Sequence, residues 1–386
     1  MAALRDSVGA QAPGNPISWR GAAILAACFA GLANFYGLLS TLGADPAVAG
    51  DASAIGLANG ALLMAAVAVE PVAPFLLGRW GYRRAMRAAL GLIGLATLAL
   101  AWNGSAAGFV ALHALRGLGF GMLFVAGAPM LLTVTDRTKT AAAISIYGVV
   151  AGVPAVVMLP VAVMMAGAWG VHDLYLLCGL CAIAGALILP PAPRAEPAQP
   201  VSLGELFGLC RATAMPAAMF AAAAVASGAA VTFLPQLAGE SGAIVPVALL
   251  ANGIAMVAGR AATSRLTRRF SSAAILAAAA LLSGAGLAAI AVMPAPVVLA
   301  AGMALIGGGF GVAQNVALLV MFDAAPDQRD VASAGFSLLY DAGLGLGAWA
   351  TGLMAAGMGL PAACCIAGVA VAAVAAIGRL VPRIPV

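Results

Sequence analysis

Long apolar stretches alternate with short polar joints along the whole chain. Twelve of these stretches have about twenty residues each, and their bounds are 20–42, 53–77, 87–102, 107–134, 141–167, 172–190, 211–235, 243–263, 272–292, 297–322, 331–357 and 361–380. A helix needs about twenty apolar residues to cross a bilayer, where it satisfies its own backbone groups. The pattern predicts an all-α integral membrane protein with twelve transmembrane helices, although blurred Ala-rich joints leave ten or eleven open.

One joint is much longer than the others and divides the chain near its middle. It begins PPAPRAEPAQP, which favours an extended connector, and continues as SLGELFGLC, which is typical of a short surface helix. We therefore predict a tail, a first six-helix bundle, a linker, a second six-helix bundle and a second tail, with bounds 1–19, 20–190, 191–210, 211–380 and 381–386.

Composition supports membrane insertion. Hydrophobic residues make up 64% of the chain, charged residues only 8%, and the mean hydropathy is +1.08. Soluble domains carry about 25% charged residues, which cover their surface. The composition excludes a water-soluble fold and indicates membrane lipid as the surroundings. The net charge of +5 does not indicate a nucleic-acid partner, and we expect a monomer.

The distribution of basic residues predicts the orientation. With twelve spans, Lys and Arg fall in the joints on the side of both termini, apart from Arg116 inside a span, whereas the opposite loops carry only acidic charge at Asp45, Asp51, Asp173 and Glu240. Basic loops stay in the cytoplasm during insertion. Both termini are therefore expected in the cytoplasm. The Ala- and Gly-rich composition suggests a bacterial host, and hence its inner membrane.

The two predicted bundles share sequence features in the same order. GLGFG at residues 117–121 recurs as GGGFG at 307–311, which lies 190 residues later. The basic joint FLLGRWGYRR at 75–84 is matched by SRLTRR at 264–269, with Arg265 taken as the counterpart of Arg79. Internal duplication of this kind is typical of secondary transporters.

These features resemble the major facilitator superfamily over essentially the whole chain. The joint after the second span keeps Arg79, Gly81 and Arg83 of the family pattern Gly-x-Leu-Ala-Asp-Arg-x-Gly-Arg-Arg, but Gly78 replaces its acid. The resemblance implies two bundles that expose a central site alternately to each side. It also implies that Arg79, Gly81, Arg83 and Arg265 act in conformational gating.

Two further motifs carry the same resemblance, and the segment after the tenth span also resembles bacterial efflux-type members. Arg116 followed by GLGFG is similar to the family's intramembrane arginine motif, which is associated with proton coupling. Gly148, Gly152 and Pro154 resemble a shortened glycine–proline motif of drug:proton antiporters and are assigned to gating.

Ionisable groups inside spans are costly, so each is a candidate for function. Glu70, His113, Arg116 and Asp341 are our candidates for proton coupling. Arg116 is expected to counter Glu70 or Asp341, while the structural alternative has each acid held by a neighbouring Arg or hydroxyl group. Arg260 lies near the end of the eighth span and is interpreted as structural.

Neutral polar residues in the spans complete the candidate substrate site. They come from the first, tenth and eleventh spans and are Asn34, Tyr36, Gln314, Asn315 and Tyr340. Each could instead serve only to hold two helices together by hydrogen bonds.

The sequence gives little support for catalysis or for binding of a cofactor or a metal. There is no phosphate-binding loop, no Ser–His–Asp order and no metal-ligand cluster, so we expect neither an enzyme nor a cofactor or metal. The leading hypothesis is a secondary transporter that exports an amphipathic compound or drug in exchange for protons. The alternatives are proton-coupled uptake of a small metabolite and, on the spacing of Met215 and Met219, uptake of copper.

Overall fold

The computed structural model describes residues 17–192 and 202–380, and all regular structure in these ranges is helical. Residues 1–16 of the predicted N-terminal tail, the predicted C-terminal tail and residues 193–201 of the predicted linker lie outside the described residues. The helices are α1 (Trp19–Leu39), α2 (Ala52–Val69), α3 (Ala73–Trp80), α4 (Tyr82–Leu100), α5 (Ala106–Leu132), α6 (Thr140–Trp169), α7 (Val171–Ile188), α8 (Leu203–Ala212), α9 (Ala214–Ala238), α10 (Val245–Leu266), α11 (Ser272–Val292), α12 (Pro296–Ala324), α13 (Arg329–Met358) and α14 (Leu360–Leu380).

The described helices confirm an all-α membrane fold. Twelve of them have 18 residues or more, and only α3 and α8 are shorter. Nine stretches of the described chain are both long and apolar enough to cross a membrane, and one of these, 214–266, contains both α9 and α10. The twelve long helices are consistent with the twelve predicted spans, and most of their ends lie at the short polar joints.

The second predicted span, 53–77, is not one continuous helix. α2 ends at Val69, residues 70–72 form a turn, and α3 begins at Ala73. Pro71 causes this break because its ring removes a backbone donor and clashes with the preceding turn. Glu70 thus lies at a break in the helix, next to backbone groups that have left the regular pattern.

Six long helices form each half of the molecule, α1–α7 without α3 in the N-terminal half and α9–α14 in the C-terminal half. A Cβ atom on Gly117 would lie 1.9 Å from the carbonyl oxygen of Leu62, and one on Gly307 would lie 2.1 Å from that of Asn252. Both pairs are related by the same offset of 190 residues. The recurring glycines therefore allow the same close helix contact, α5 on α2 and α12 on α10.

The halves meet along two helix pairs, α2 with α13 and α6 with α10. A Cβ atom on Gly56 would lie 2.4 Å from the carbonyl oxygen of Ala348, and one on Gly253 would lie 2.9 Å from the Cα atom of Val156. Both contacts lie in the part of the helices that is farther from the basic joints. We call that side of the molecule the far side. Toward the opposite, basic side, Gly148 of α6 is exposed and has no atom within 4 Å of such a Cβ position. We call the boundary between the two halves the cleft.

The constant offset also revises one expected correspondence. Gly81 has a φ of 77°, which favours glycine, and precedes α4, whereas Ser271 occupies the same place before α11. Arg79 therefore corresponds to Arg269, and not to Arg265 as the short motif suggested.

The predicted surface helix is present as α8. Ser202 and Glu205 form a reciprocal capping box at its start. Its buried residues Leu206 and Leu209 pack in one apolar cluster with residues of α12 and α13, such as Met321 and Val331. α8 therefore attaches the end of the linker to the C-terminal half.

Candidate transport site between the two halves

Two carboxyl groups meet where α2 of the N-terminal half faces α13 of the C-terminal half. The side chains of Glu70 and Asp341 lie in contact with each other. A hydrogen bond between two carboxyl groups requires a proton on one of them. Oε1 of Glu70 is buried and has no hydrogen-bond partner among the described residues. The two acids therefore form a pair, and neither is paired with Arg116, the partner that the sequence suggested.

Two tyrosine side chains cross the same interface. The side chains of Tyr36 on α1 and Tyr340 on α13 lie next to each other, and both lie within the electrostatic reach of Arg260 and Asp341. The tyrosine pair therefore lies near both Asp341 and the guanidinium group of Arg260.

Arg260 is half-buried on α10 and is held by α12. Its Nε donates to Oε1 of Gln314 at 2.7 Å, and its Nη2 donates to the same oxygen. Nδ2 of Asn315 donates to the backbone oxygen of Arg260 at 3.1 Å. In the described ranges, no carboxylate forms an ion pair with Arg260. Gln314 and Asn315, predicted to bind substrate, thus position this arginine.

A small cavity lies between the halves beside these groups. It has a volume of about 30 Å³, and its lining includes Phe35, Tyr36, Asn59, Asn252, Phe310 and Tyr340. A cavity of this size has room for about two water molecules. The lining is mostly apolar, and a few polar groups point into it.

Aromatic rings continue from the cavity into the C-terminal half. The ring centroids of Phe310 and Tyr340 are 5.4 Å apart, and those of Phe220 and Phe336 are 5.0 Å apart. On the N-terminal side, Phe35 stacks on another ring of its own half at 3.9 Å. The site therefore combines polar groups with a wall of aromatic rings.

A hydrogen bond joins the halves on the far side of the cavity. Nδ2 of Asn59 on α2 donates to Oγ1 of Thr232 on α9 at 2.6 Å. Neither residue was among the predicted site residues, although both are polar side chains inside apolar spans, which is the signal that would have found them.

Arg116, His113 and Asn34 lie together inside the N-terminal half, away from the carboxyl pair. Nη2 of Arg116 donates to the backbone oxygen and to Oδ1 of Asn34, at 3.2 and 2.9 Å. Nδ2 of Asn34 donates to Oγ1 of Thr97 at 3.0 Å, and Nδ1 of His113 donates to the backbone oxygen of Phe109 at 2.9 Å. All are buried, so this network ties α1 to α4 and α5.

The remaining predicted gating residues lie on the basic side or along α6. Nε of Arg83 donates to the backbone oxygen of Leu189 at 3.1 Å, just after α7 ends, and Arg79 is exposed. Arg265 is exposed in the last turn of α10. Pro154 is buried in α6, close to the contact of that helix with α10, whereas Gly152 has open space around it.

Metal-binding groups are sparse in the described chain. Within residues 17–192 and 202–380, no three His, Cys, Asp or Glu side chains are grouped as metal ligands would be. The sulfur atoms of Met215 and Met219 lie against Gly378 of α14, inside the C-terminal half. The two sulfur atoms therefore do not face the cleft between the halves.

The sequence pattern of the Major Facilitator Superfamily matches residues 21–348. This match covers both halves and the site between them. The chain belongs to this superfamily. No curated protein matches the sequence. The family points to a secondary transporter rather than an enzyme, with a small molecule as its substrate.

Solved structures of transporters share the fold of this superfamily member. A structure of the nucleoside transporter NupG has a TM-score of 0.78 and 15% identity, covering 94% of this chain and 100% of that one. A peptide transporter POT in complex with sulfate has a TM-score of 0.74 and 15% identity, with 94% of each chain covered. A bacterial homolog of the human lysosomal transporter Spinster, inward-facing and unoccupied, has a TM-score of 0.70 and 15% identity, covering 93% of this chain and 95% of that one.

Proposed function

We propose that this chain is a proton-coupled secondary transporter and that Glu70 and Asp341 form its proton site. The observation that carries the proposal is their contact across the interface between the halves. Two carboxylates in contact repel each other strongly, so the pair binds a proton more readily than either acid alone. Because one acid belongs to each half, protonation acts on the interface itself.

The carboxyl pair can also couple proton binding to the relative movement of the two halves. With a proton, the two carboxyl groups are joined by a hydrogen bond that holds α2 against α13. Without it, two unit charges about 4 Å apart repel by about 4 kcal/mol at an effective dielectric constant near 20. Loss of the proton therefore favours separation of the halves at this level, and the break at Pro71 allows α2 to adjust there.

Arg116 and His113 are not part of the proposed proton site. Both are enclosed in the N-terminal half and are bonded to neighbouring helices or to their own helix. We propose that they hold α1, α4 and α5 together as one body while the halves move.

Export of a small amphipathic molecule in exchange for protons is the first direction that we propose. The mostly apolar and aromatic lining of the cavity supports an amphipathic substrate. Proton-coupled uptake is a second candidate, because the unpaired Arg260 beside the tyrosine pair is suited to a negatively charged metabolite. Both candidates use the bacterial inner membrane and cytoplasmic termini expected from the basic joints.

Proton movement in vesicles tests the proposal. Inside-out vesicles with an acidic interior are given a panel of amphipathic cations, anions and neutral compounds while a dye reports the internal pH. We expect compound-triggered proton movement with the wild type and at least a tenfold smaller rate with Glu70→Gln or Asp341→Asn. Asp323→Asn, an exposed acid on α12, is the matched control and should behave as wild type.

The sign of the movement separates the two directions. Proton release from the acidic interior indicates exchange, as export requires, and proton entry together with the compound indicates uptake. Wild-type rates in both Glu70→Gln and Asp341→Asn would remove the proton role of the pair.

A further inference from the structure

Arg260 occupies the position in the C-terminal half that Glu70 occupies in the N-terminal half. The two residues are 190 apart, the same offset that relates the close glycine contacts of the two halves. The pseudo-symmetry therefore places an acid on one side of the cleft and a guanidinium group on the other. The acid has a partner in Asp341, whereas among residues 17–192 and 202–380 the guanidinium group bonds to the neutral side chain of Gln314 and to no acid.

Some N–H donors of Arg260 have no acceptor among the described residues. A guanidinium group has five N–H donors, and among the described contacts those of Nε and Nη2 share a single acceptor, Oε1 of Gln314. Nε2 of Gln314 is also buried and has no partner in the described part of the chain. Unused donors from two adjacent side chains call for an acceptor with two oxygens, and a carboxylate fits the planar fork of an arginine.

The side chains around Arg260 indicate the chemistry of the rest of the ligand. Tyr36 and Tyr340 offer hydroxyl groups next to the guanidinium. Phe310 stacks on Tyr340, so the wall beyond the polar groups is aromatic. The cavity beside these groups has room for about two water molecules, so a larger ligand binds here when the halves move apart. Such a ligand has a negatively charged end at Arg260 and an apolar or aromatic body along the rings.

We propose that the substrate of this transporter is an organic anion with an apolar body, whose carboxylate binds Arg260 and Gln314. The inference rests on the proposed transport function and adds its substrate class. A negative charge at Arg260 lies near the carboxyl pair, so it binds more tightly when that pair is protonated. Substrate and proton then occupy the site together, which favours the second candidate direction, uptake.

Binding to the purified full-length protein tests this inference without a proton gradient. The probes share one phenylpropyl body and differ at one end: 4-phenylbutanoate, 4-phenylbutanamide and 4-phenylbutylamine. Aliphatic and aromatic monocarboxylates of other lengths extend the series. We expect saturable thermal stabilisation by carboxylates and none by the matched amide or amine. Arg260→Gln should weaken carboxylate binding by about ten- to a hundredfold, the cost of a lost charged hydrogen bond.

Two further variants separate a binding role from a folding role. Arg260→Lys keeps the charge but not the planar fork and should bind carboxylates with intermediate affinity. Arg137→Gln removes an exposed arginine in the joint before α6 and should leave binding unchanged. Overall folding of each variant is checked by its elution as a single species.

The outcomes distinguish this inference from the proposed proton coupling. Preference for the amine or amide, equal carboxylate binding by Arg260→Gln, or no stabilisation by any carboxylate in the series would each overturn the anionic substrate class. Carboxylate binding that depends on Arg260, in a protein that moves no protons in vesicles, would keep the inference and remove proton coupling.

Discussion

The two halves of the molecule share one packing plan but carry different chemistry. Gly117 and Gly307 allow the same close contact in each half, on the backbone of Leu62 and Asn252. The charged positions do not repeat: Glu70 corresponds to Arg260, and Arg116 corresponds to the buried Ile306. The repeated residues build the scaffold, and the functional candidates stand where the halves differ.

The two intramembrane arginines make the same point. Arg116 is buried and bonded to Asn34 inside one half, whereas Arg260 is half-buried next to the cleft and bonded to Gln314. A buried guanidinium with protein partners favours a structural role. Nε of Arg116 is also without a partner among the described residues, so the difference between the two arginines is their place: the half-buried Arg260 lies beside the cleft, where a ligand can reach it.

The largest effect is expected where the shared packing plan is broken. Gly117→Ala and Gly307→Ala each place a Cβ atom within 2.1 Å of a carbonyl oxygen, and we expect each to cost about 3 kcal/mol of stability, the upper end for overpacking. Thermal unfolding in detergent measures the loss. Gly91→Ala on α4, with no atom within 4 Å, should be neutral or slightly stabilising, and equal losses in all three variants would contradict the shared contact.

A smaller effect should distinguish the two arginines. Asn34→Ala removes Oδ1, the nearer of the two acceptors of the buried Arg116, and leaves it only the backbone oxygen. We expect this variant to destabilise the protein by about 2 kcal/mol, since a buried charged donor that loses its partner is costly. Gln314→Ala should cost about 1 kcal/mol or less, because water in the cleft can replace its oxygen beside Arg260. Unfolding measurements on both variants check this order, and the reverse order would show that Arg260 is the more enclosed of the two.

The charge difference between the halves predicts separable defects. Glu70→Gln should reduce proton movement at least tenfold and leave carboxylate binding nearly unchanged. Arg260→Gln should reduce binding at least tenfold, which corresponds to about 1.4 kcal/mol. Vesicle assays and thermal stabilisation measure the two quantities separately. If Glu70→Gln and Arg260→Gln both lose carboxylate binding and proton movement to the same degree, the proton site and the carboxylate site are one functional unit.

The smallest effect concerns the link between the halves. Thr232→Val removes the acceptor of Asn59, and the loss of about 1 kcal/mol should shift the balance about fivefold toward a state open on the far side. Spin labels at Ala49 and Glu240, both exposed in far-side loops, would report a longer distance. Thr133→Val, whose hydroxyl bonds within its own helix, is the control and should leave the distance distribution unchanged.

The limits of sequence reasoning follow from the nature of these helices. Most are apolar on every side, so the pattern does not show which face meets the lipid and which meets the other half. Arg116 and Arg260 look alike in sequence, as single basic residues in or near a span. Only their surroundings separate them, and those surroundings come from helices distant in the chain.

The sequence by itself determined the membrane class, the long helices and the duplicated order of motifs, because length, hydropathy and recurring glycines are properties of local segments. It also marked Glu70 and Asp341 as candidates, since an acid in an apolar span is costly. The tertiary structure decided that these two acids meet each other, that Arg116 is enclosed and that Arg260 faces the tyrosine pair. Those facts depend on the rotation and register of packed helices, which a uniformly apolar surface leaves unspecified.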